Sequence, residues 1–354
     1  MNSPLPPAAA LRRIAFLLER AREPSYRVAA FRTAAAVVDG LPEDQLDLKI
    51  RTNTLKDLKG VGPKTAAVIV EAHKGQVPTY LATLEEAYAE LVPLADDIAE
   101  LRAALRGDLH CHSDWSDGGS PIREMAEAAI ALGHEYIALT DHSPRLTVAN
   151  GLSPERLEQQ LDVVAALNEE LAPFRILTGI ECDINVDGSL DQTDELLGRL
   201  DVVVASVHSD LRAESKAMTA RMLTAVANPH TDVLGHCTGR LIIGRRQRDG
   251  TQKPRPESQF DAEAVFAACV EFGTAVEINS RPERLDPPKR LLSLALEVGC
   301  EFAIDTDAHA PGQLDWQGNG CERAVECAVP VERVVNTRPA EDLLAWTANR
   351  PGRG

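Results

Sequence analysis

The chain has 354 residues, enough for one large domain and a smaller one; 44% of them are hydrophobic and 26% charged, as is ordinary for a globular protein. Its formal net charge of −17 excludes a protein whose whole surface lies on nucleic acid. The acidic excess is uneven, because residues 1–80 carry about 12 basic and about 8 acidic side chains, against about 23 and about 40 in residues 107–354. The basic N-terminal segment is therefore the better candidate for contacting phosphates.

The cysteines and the apolar runs indicate the compartment. Seven cysteines are scattered without a Cys-x-x-Cys pair, which is typical of reduced thiols rather than of a disulfide framework. The N-terminal sequence has no apolar run before its arginines and no cleavage pattern. No stretch approaches the roughly eighteen apolar residues of a membrane span. We therefore expect a cytoplasmic protein with no membrane partner.

Residues 1–80 predict a small helical domain. Apolar residues recur on one helical face over residues 8–22, and a second helix is predicted over residues 26–38, between a Pro-Ser start and a Gly-Leu-Pro stop. Residues 55–75 indicate a short helix, a tight glycine turn and a second helix. Residues 81–106 continue as a helical linker, which places a domain boundary near residue 107.

From residue 107 to about residue 345 the pattern changes to apolar strands that alternate with amphipathic helices. Such alternation over roughly 240 residues is typical of a parallel β/α barrel, and seven strands instead of eight predict an irregular one, so the fold class is α/β. The polar stretch 244–259 is long enough to suggest a mobile or substrate-facing loop. The strands are predicted at residues 107–112, 136–142, 175–184, 201–208, 231–237, 274–279 and 301–307.

Histidines and acids gather at the carboxyl ends of these strands. Glu181 and Asp307 lie there, as do six of the nine histidines. In a parallel barrel these ends converge on one face, where the active sites of such folds lie. A lone histidine at a strand end more often caps a loop, but six of them beside two acids favour a metal cluster. The six are His110, His112, His142, His208, His236 and His309.

The spacing of these residues supports a metal site. His110 and His112 on one strand present both imidazoles on the same side, because side chains along a strand alternate. Asp307 and His309 repeat that spacing on the last strand. Imidazole and carboxylate together suit Mn, Zn or Fe better than Ca or Mg. A metal bound in this way can lower the pKa of water from 15.7 to about 7 and so supply a nucleophile at neutral pH.

Two arginines on strand-end loops are candidates for contacting a phosphorylated substrate. Charge on phosphoryl oxygens needs donors, and arginine is the natural choice. Arg240 follows His236, and Arg281 follows the sixth strand. Each is either a substrate contact or a solvated loop charge, and the sequence leaves both possibilities open.

The motifs resemble those of the PHP family, named for polymerase and histidinol phosphatase. The resemblance runs in order through residues 107–310 and implies a phosphoesterase with two or three divalent cations, in which Glu181 and Asp307 take part in catalysis and Glu181 bridges two of the cations. The matching pieces are His110-x-His112 with Asp117, Thr140-Asp141-His142, Gly179-Ile180-Glu181, Ser206-Val207-His208, Gly235-His236 and Asp307-Ala308-His309. The family pattern implies a first position held by His110, His112, Glu181 and Asp307, a second by Glu181, His208 and His236, and a third by Asp117, His142 and His309.

The run Leu58–Lys64 joins two short helices through a glycine turn. Backbone N–H groups at such a turn, next to a helix N-terminus, can bind a phosphate, and lysines add charge without sequence preference. The run resembles a helix-hairpin-helix DNA-binding element, and together with residues 25–43 it resembles the N-terminal lyase-type domain of family X DNA polymerases. A plain interhelical turn is the alternative. The candidate DNA contacts are Lys59, Gly60, Gly62 and Lys64.

Two departures from that resemblance limit the activities expected. The lysine that forms the Schiff base in the lyase-type domains falls at Val68 here, and valine cannot form an imine. Only about 30 residues separate Gly75 from Gly107, too few for the polymerase core that family X polymerases place between the two modules. We therefore expect neither lyase nor polymerase activity.

The pairing of the two resemblances favours a metal-dependent phosphoesterase that acts on DNA ends or damaged DNA. A 3′-5′ exonuclease, a 3′-phosphatase and an abasic-site endonuclease all use the same attack on phosphorus, so the sequence does not separate them. Two alternatives stay open. One is a small-molecule phosphatase of the histidinol-phosphate type. The other is a DNA-binding scaffold without catalysis, in which metals only stabilise the fold.

Overall fold

The computed structural model describes residues 3–89, 94–246 and 251–352. The chain divides into two compact units, Met1–Leu94 and Ala95–Gly354. Within the described ranges, none of the helices has the length and apolar character needed to cross a membrane.

The first unit is helical and is organised around its first helix. The apolar stripe of α1 places Leu11, Ile14 and Leu18 out of contact with solvent, and α1 packs on α2, α4 and α5. Helix α3 lies in a segment for which the sequence predicted no helix, because Leu46 is its only buried residue and its apolar periodicity is correspondingly weak. The helices are α1 Pro7–Arg20, α2 Ser25–Asp39, α3 Glu43–Arg51, α4 Pro63–His73 and α5 Thr79–Ala89.

The glycine turn before α4 is held close to α2. One turn of 3-10 helix, Leu55–Asp57, leads into it, and Gly60 has a φ of +99°, in the left-handed region that favours glycine. A Cβ atom on Gly60 would lie 2.6 Å from Cγ2 of Thr33. The backbone N–H of Gly62 donates to Oγ1 of Thr65 at 2.9 Å, which caps the start of α4. The turn therefore has a fixed shape.

The second unit contains a seven-stranded parallel sheet that nearly closes into a barrel, in the order β1-β2-β3-β4-β5-β8-β9. A parallel bridge from Cys111 to Ala308 brings β1 next to β9. All seven predicted strands are confirmed, because a sheet buried on both faces leaves nearly continuous apolar runs in the sequence. The strands are β1 Gly107–Cys111, β2 Tyr136–Leu139, β3 Arg175–Asp183, β4 Val202–Ser206, β5 Val233–Leu234, β8 Ala275–Asn279 and β9 Phe302–Asp305.

Helices surround the barrel, and α6 packs against α13 within this unit. Helix α5 packs on α1 in the first unit, so the two helices of the stretch 81–106 belong to different units, and the division falls at Leu94. The helices are α6 Asp96–Ala104, α7 Ile122–Ala131, α8 Pro154–Leu171, α9 Asp194–Leu197, α10 Ser215–Val226, α11 Ala262–Phe272, α12 Lys289–Val298, α13 Gln317–Glu326 and α14 Ala340–Ala348.

The polar stretch 244–259, predicted as a loop, contains part of an antiparallel hairpin instead. Strand β6, Leu241–Arg246, pairs with β7, Gln252–Arg255; residues 247–250 of the stretch lie outside the described ranges. A Cβ atom on Gly244 would lie 1.7 Å from the carbonyl oxygen of Lys253, so glycine permits this close approach. The prediction was wrong because backbone hydrogen bonds hold the hairpin, and they leave little trace in the composition.

A buried ion pair lies at the amino ends of the strands, opposite the carboxyl ends that carry the histidines. Nη1 of Arg350 is 3.3 Å from Oδ1 of Asp232, and the side chains are 1% and 0% exposed. Nη2 of Arg350 donates to Oγ1 of Thr274 at 2.7 Å, and Oδ2 of Asp232 accepts from the backbone N–H of Val203 at 2.8 Å. The pair thus ties the C-terminal segment to strands β4 and β8.

Removing the guanidinium of Arg350 leaves a buried carboxylate without its cation. We expect Arg350→Ala to lower the free energy of unfolding by about 3–5 kcal/mol. Arg199→Ala is the matched control, because the Arg199–Glu158 pair is about half exposed, and its loss costs at most about 1 kcal/mol. Urea unfolding followed by circular dichroism measures both values, and equal losses would contradict the role of the buried pair.

Candidate metal centre

The end of β1 explains how two imidazoles reach the same place. His110 lies on β1 and His112 directly follows it, while Cys111 between them is buried on the other face, where its Sγ donates to the carbonyl of Ala138. The backbone N–H of His112 donates to the carbonyl of Ala308 at 2.8 Å, which extends the pairing toward β9. Both imidazoles are fully buried. The alternation of the strand therefore delivers the His-x-His pair to the barrel mouth.

A first group of ligand atoms comes from His110, His112 and Asp307, whose donor atoms lie within 4.8 Å of one another. Nε2 of His112 is 3.4 Å from Oδ1 of Asp307. Asp307 has a φ of +53°, a backbone conformation that few residues other than glycine adopt, though aspartate does so more readily than most. Oε1 of Glu181 lies 3.4 Å from Nε2 of His110 and completes this group.

A second group comes from His142, Glu181 and His208, and His236 adjoins it. A parallel bridge pairs His142 with Glu181 beyond the end of β2, so register fixes their contact. Oε1 of Glu181 lies 3.2 Å from Nε2 of His208 and 2.9 Å from Nε2 of His236. Glu181 therefore stands between the first and second groups.

A third group comes from His112, Asp117, His142 and His309. Oδ1 of Asp117 is 3.4 Å from Nε2 of His142 and 3.3 Å from Nε2 of His309. Asp117 is partly exposed, whereas the ligands of the first group are buried, so this side of the centre faces the opening of the barrel. The structure thus brings together all nine candidate ligands named from the sequence.

Charge is balanced around Glu181, which is 1% exposed. Burial alone would raise the pKa of this carboxyl, but the imidazoles of His208, His110 and His142 lower its pKa well below the ordinary value. For His142 burial acts in the opposite direction and would lower the pKa of the imidazole. The carboxylates of Glu181 and Asp117 outweigh this effect and raise the pKa of His142 to about 10. In the absence of a cation, a proton on the His142 imidazole partly compensates the carboxylates, whereas burial lowers the pKa of His112 and of His236.

The unsatisfied atoms fit a set of divalent cations. Among the described residues, both carboxylate oxygens of Glu181 are buried without a hydrogen bond, and the same holds for both ring nitrogens of His112, His208 and His236. Buried polar atoms without partners cost free energy, so a cluster of them at one place points to a ligand. Nitrogen and carboxylate donors together favour a divalent transition metal over calcium. The residues present therefore fit a cluster of divalent cations.

Carboxylates behind the imidazoles orient them. Oε1 of Glu277 lies 2.6 Å from Nδ1 of His110, and Oε2 accepts from the backbone N–H of His236 at 2.5 Å. Oδ1 of Asp183 accepts from the backbone N–H of His208 at 3.2 Å and lies 3.4 Å from its Nδ1 without a hydrogen bond to the ring. A ring partner such as Glu277 fixes the tautomer and the orientation of an imidazole that binds a metal. Sequence reasoning missed both acids, although a lone glutamate inside the apolar strand AVEIN, and an aspartate two residues after Glu181, were available signals.

The three arginines near the centre differ in position. Nη1 of Arg281 lies 3.0 Å from Nδ1 of His309, and Nε of Arg284 donates to Oδ2 of Asp307 at 2.9 Å. Arg240 instead donates to the carbonyls of Arg284 and Leu285, so its described hydrogen bonds brace the loop after β8. Arg284 was missed because it lies three residues beyond Arg281, and only the fold shows which of these arginines faces the acid.

The candidate DNA contacts lie in the first unit. Lys59, Gly60, Gly62 and Lys64 are all exposed around the turn before α4. Nζ of Lys64 lies 4.7 Å from the ring centroid of Tyr80, a cation–π contact. The backbone N–H groups at the start of α4 form the kind of terminus that binds anions.

The fold and the site together define a class of protein: a metal-dependent hydrolase built on a nearly closed seven-stranded barrel with a histidine and carboxylate centre at its mouth. Residues 108–281 match the PHP domain family, and residues 6–77 match a helix-hairpin-helix domain family. The chain therefore contains a PHP domain, preceded in the sequence by a helix-hairpin-helix domain.

Several known proteins are similar to this chain. The DNA polymerase/3′-5′ exonuclease PolX of Bacillus subtilis is 40% identical over 276 residues, which cover 78% of this chain and 46% of the relative, so the chain spans just under half of that protein. A probable phosphatase of Thermoanaerobacter is 29% identical over 57% of this chain and 78% of its own length. The crystal structure of histidinol phosphate phosphatase from Lactococcus lactis, complexed with zinc, L-histidinol and phosphate, aligns with a TM-score of 0.45 at 20% identity, over 63% of this chain and 92% of that one.

Protons and cations compete for the same nitrogens, so cation binding should release protons. Because the pKa of His142 is raised to about 10, this imidazole is protonated at neutral pH and must lose its proton to bind a metal. We expect the affinity for Mn²⁺ to rise about tenfold per pH unit for each proton released. Calorimetry in buffers of different ionisation enthalpy counts these protons, and a binding heat that is independent of the buffer would contradict the expectation.

Glu277 is expected to act through His110. The Glu277→Gln variant removes the charge but keeps the shape, and we expect it to weaken Mn²⁺ binding by about 10- to 100-fold without changing the unfolding midpoint by more than a few degrees. Glu297→Gln, at an exposed position on α12, is the control and should bind Mn²⁺ normally. Titration calorimetry compares the two variants. Equal affinities in both would show that Glu277 does not position His110.

Proposed function

We propose that this protein is a phosphoesterase that hydrolyses DNA ends or damaged DNA, as a 3′-5′ exonuclease, a 3′-phosphatase or an abasic-site endonuclease. The observation that carries the proposal is the presence, in one chain, of a cluster of nine candidate ligands and an exposed helix-hairpin-helix turn. The first supplies chemistry at phosphorus, and the second supplies contacts to a phosphate backbone.

The residues divide the work at the centre. His110, His112, Asp307 and Glu181 would hold one cation, His208 and His236 with Glu181 a second, and Asp117, His142 and His309 a third. When bound, Mn, Zn or Fe ions in such a cluster activate water as a nucleophile and neutralise charge on the phosphate. Glu181 and Asp307 keep the negative charge in place that attracts the cations. Arg281 contacts His309 and Arg284 contacts Asp307, so both guanidinium groups are placed to donate to phosphoryl oxygens that enter there.

The relatives support a nucleic acid substrate but leave alternatives. The Bacillus subtilis relative is named as a 3′-5′ exonuclease as well as a DNA polymerase. We propose that this chain has no polymerase activity, because about 30 residues between Gly75 and Gly107 leave no room for a polymerase core. We also propose no lyase activity, since Val68 on α4 is an apolar residue with 2% exposure.

A panel of substrates tests the proposal. With Mn²⁺ we expect the full-length protein to shorten or dephosphorylate a labelled oligonucleotide among gapped, nicked, 3′-phosphorylated and abasic DNA. Its rate should exceed that on histidinol phosphate, and a chelator should abolish it. The His110→Ala/His112→Ala variant is the control and should lose more than about 100-fold in kcat/KM.

The panel also distinguishes the rivals. A consistent preference for histidinol phosphate or another phosphomonoester over every DNA substrate would favour a small-molecule phosphatase, which the named phosphatases among the relatives make the second candidate. DNA binding with no hydrolysis of any substrate would favour a scaffold. Activity that survives in the double histidine variant would contradict a role for this centre.

The contribution of the glycine turn before α4 to DNA binding is tested with one lysine at each end of that helix. Lys64 follows the turn, and Lys74 lies at the opposite end of the helix, where no phosphate contact is proposed. We expect Lys64→Ala to weaken oligonucleotide binding at least a few-fold and to lower its salt dependence by about one unit of slope, whereas Lys74→Ala does neither. Fluorescence anisotropy at several salt concentrations measures both. The same slope in the two variants would mean that the turn is only a connection between helices.

A further inference from the structure

The β6–β7 hairpin is a basic element on an acidic unit. It follows His236, the last ligand before the hairpin, by only five residues, so it leaves the barrel from the mouth of the metal centre. Among the described residues of its strands, Arg245, Arg246, Lys253 and Arg255 are basic and none is acidic. The protein as a whole carries a net charge of −17, so a run of basic residues without an acid differs from the average composition of the chain.

The base of the hairpin is bonded to the loop that contacts the metal ligands. The backbone N–H of Ile242 donates to the carbonyl of Glu283 at 2.7 Å, and Nε of Arg240 donates to the carbonyl of Arg284 at 3.0 Å. This same loop carries Arg281, whose Nη1 is 3.0 Å from Nδ1 of His309. The loop therefore sets the position of the hairpin relative to the metal centre.

The backbone register of the hairpin places two basic residues at opposed positions. Arg245 pairs with Lys253 across the two strands, and the close approach at Gly244 leaves no room for a Cβ atom there. Lys253 is exposed, so an anion from solution can reach it.

We propose that the β6–β7 hairpin binds the phosphate backbone of a nucleic acid strand whose reactive phosphate lies in the metal centre; this rests on the proposed function. A strand advances about 3.3 Å per residue, so Arg245 lies roughly 10 Å along β6 from the anchored Ile242. A single phosphomonoester at the metal ligands does not extend over that additional distance. A polymer with a phosphate on every nucleotide does, and it presents a second phosphate to the hairpin.

The test compares a hairpin variant with a variant of equal charge change elsewhere. The first is Arg245→Ala/Lys253→Ala. The control is Arg123→Ala/Arg199→Ala, which removes two exposed cations from the same unit, one on α7 and one in the turn after α9. The probes are a labelled single-stranded oligonucleotide and the small ester p-nitrophenyl phosphate, each with Mn²⁺, and unfolding midpoints establish that both variants fold. If the double variant unfolds, Lys253→Gln at its exposed position repeats the test.

We expect the hairpin variant to raise KM for the oligonucleotide about tenfold, and to lower the slope of log affinity against log salt by about 1.4, since each single-strand contact contributes about 0.7. Its kcat/KM for p-nitrophenyl phosphate should equal that of the control. An unchanged salt slope with intact oligonucleotide cleavage would overturn the hairpin proposal, as would equal losses on both probes. Hydrolysis of the small ester alone by the unmodified protein would instead overturn the proposed function.

Discussion

The carboxylate of Glu181 is the constraint on which the rest of the structure depends. It is buried, its two oxygens face five imidazoles at 2.8–3.6 Å, and it belongs to strand β3 in the wall of the barrel. A buried carboxylate without positive partners costs several kcal/mol, and a group of imidazoles without a shared ligand is also unfavourable. Divalent cations satisfy both requirements at once. The contribution of the β/α barrel is to bring the ends of strands that are distant in the sequence to one point, so that their side chains can share a cation.

The surroundings of the centre are arranged in layers. Glu277 and Asp183 contact the outer nitrogens of His110 and His208, while the inner nitrogens point toward Glu181. Arg281 extends this arrangement toward the opening. At the other end of the strands the buried Arg350–Asp232 pair joins the C-terminal segment to the sheet, where we expect it to contribute to stability. Function and stability therefore occupy opposite ends of the same sheet, as is general for barrels of parallel strands.

Much of this was predictable from the sequence, and the failures have physical reasons. The strands were found because a strand buried on both faces needs apolar residues throughout. The clustering of the candidate ligands was foreseeable because polar residues that follow such strands are conspicuous. The hairpin after β5 was not found, because backbone pairing and a close approach at Gly244 hold it rather than an apolar stripe. Helix α3 was not predicted because it also lacks an apolar stripe, with Leu46 as its only buried residue.

The direction of long side chains is the part of the site that the sequence could not supply. Arg240 and Arg281 looked equivalent as charges on strand-end loops, yet one guanidinium lies on backbone carbonyls and the other beside His309. Arg284, three residues beyond Arg281 on the same loop, donates to the carboxylate of Asp307. Such positions depend on the path of the loop, which no local pattern records. Glu277 was overlooked because a single charged residue inside an apolar strand does not by itself indicate a function. Its contact with Nδ1 of His110 in the structure indicates one.

The most direct test of the account is the metal content of the protein, measured by inductively coupled plasma mass spectrometry after equilibration with Mn²⁺ and removal of free metal. We expect more than one Mn²⁺ per chain, and a loss of at least one of them in the Glu181→Gln variant, because this carboxylate lies between the first two groups of candidate ligands. A folded protein that retains no Mn²⁺, or a variant that retains as much as the unmodified chain, would contradict it.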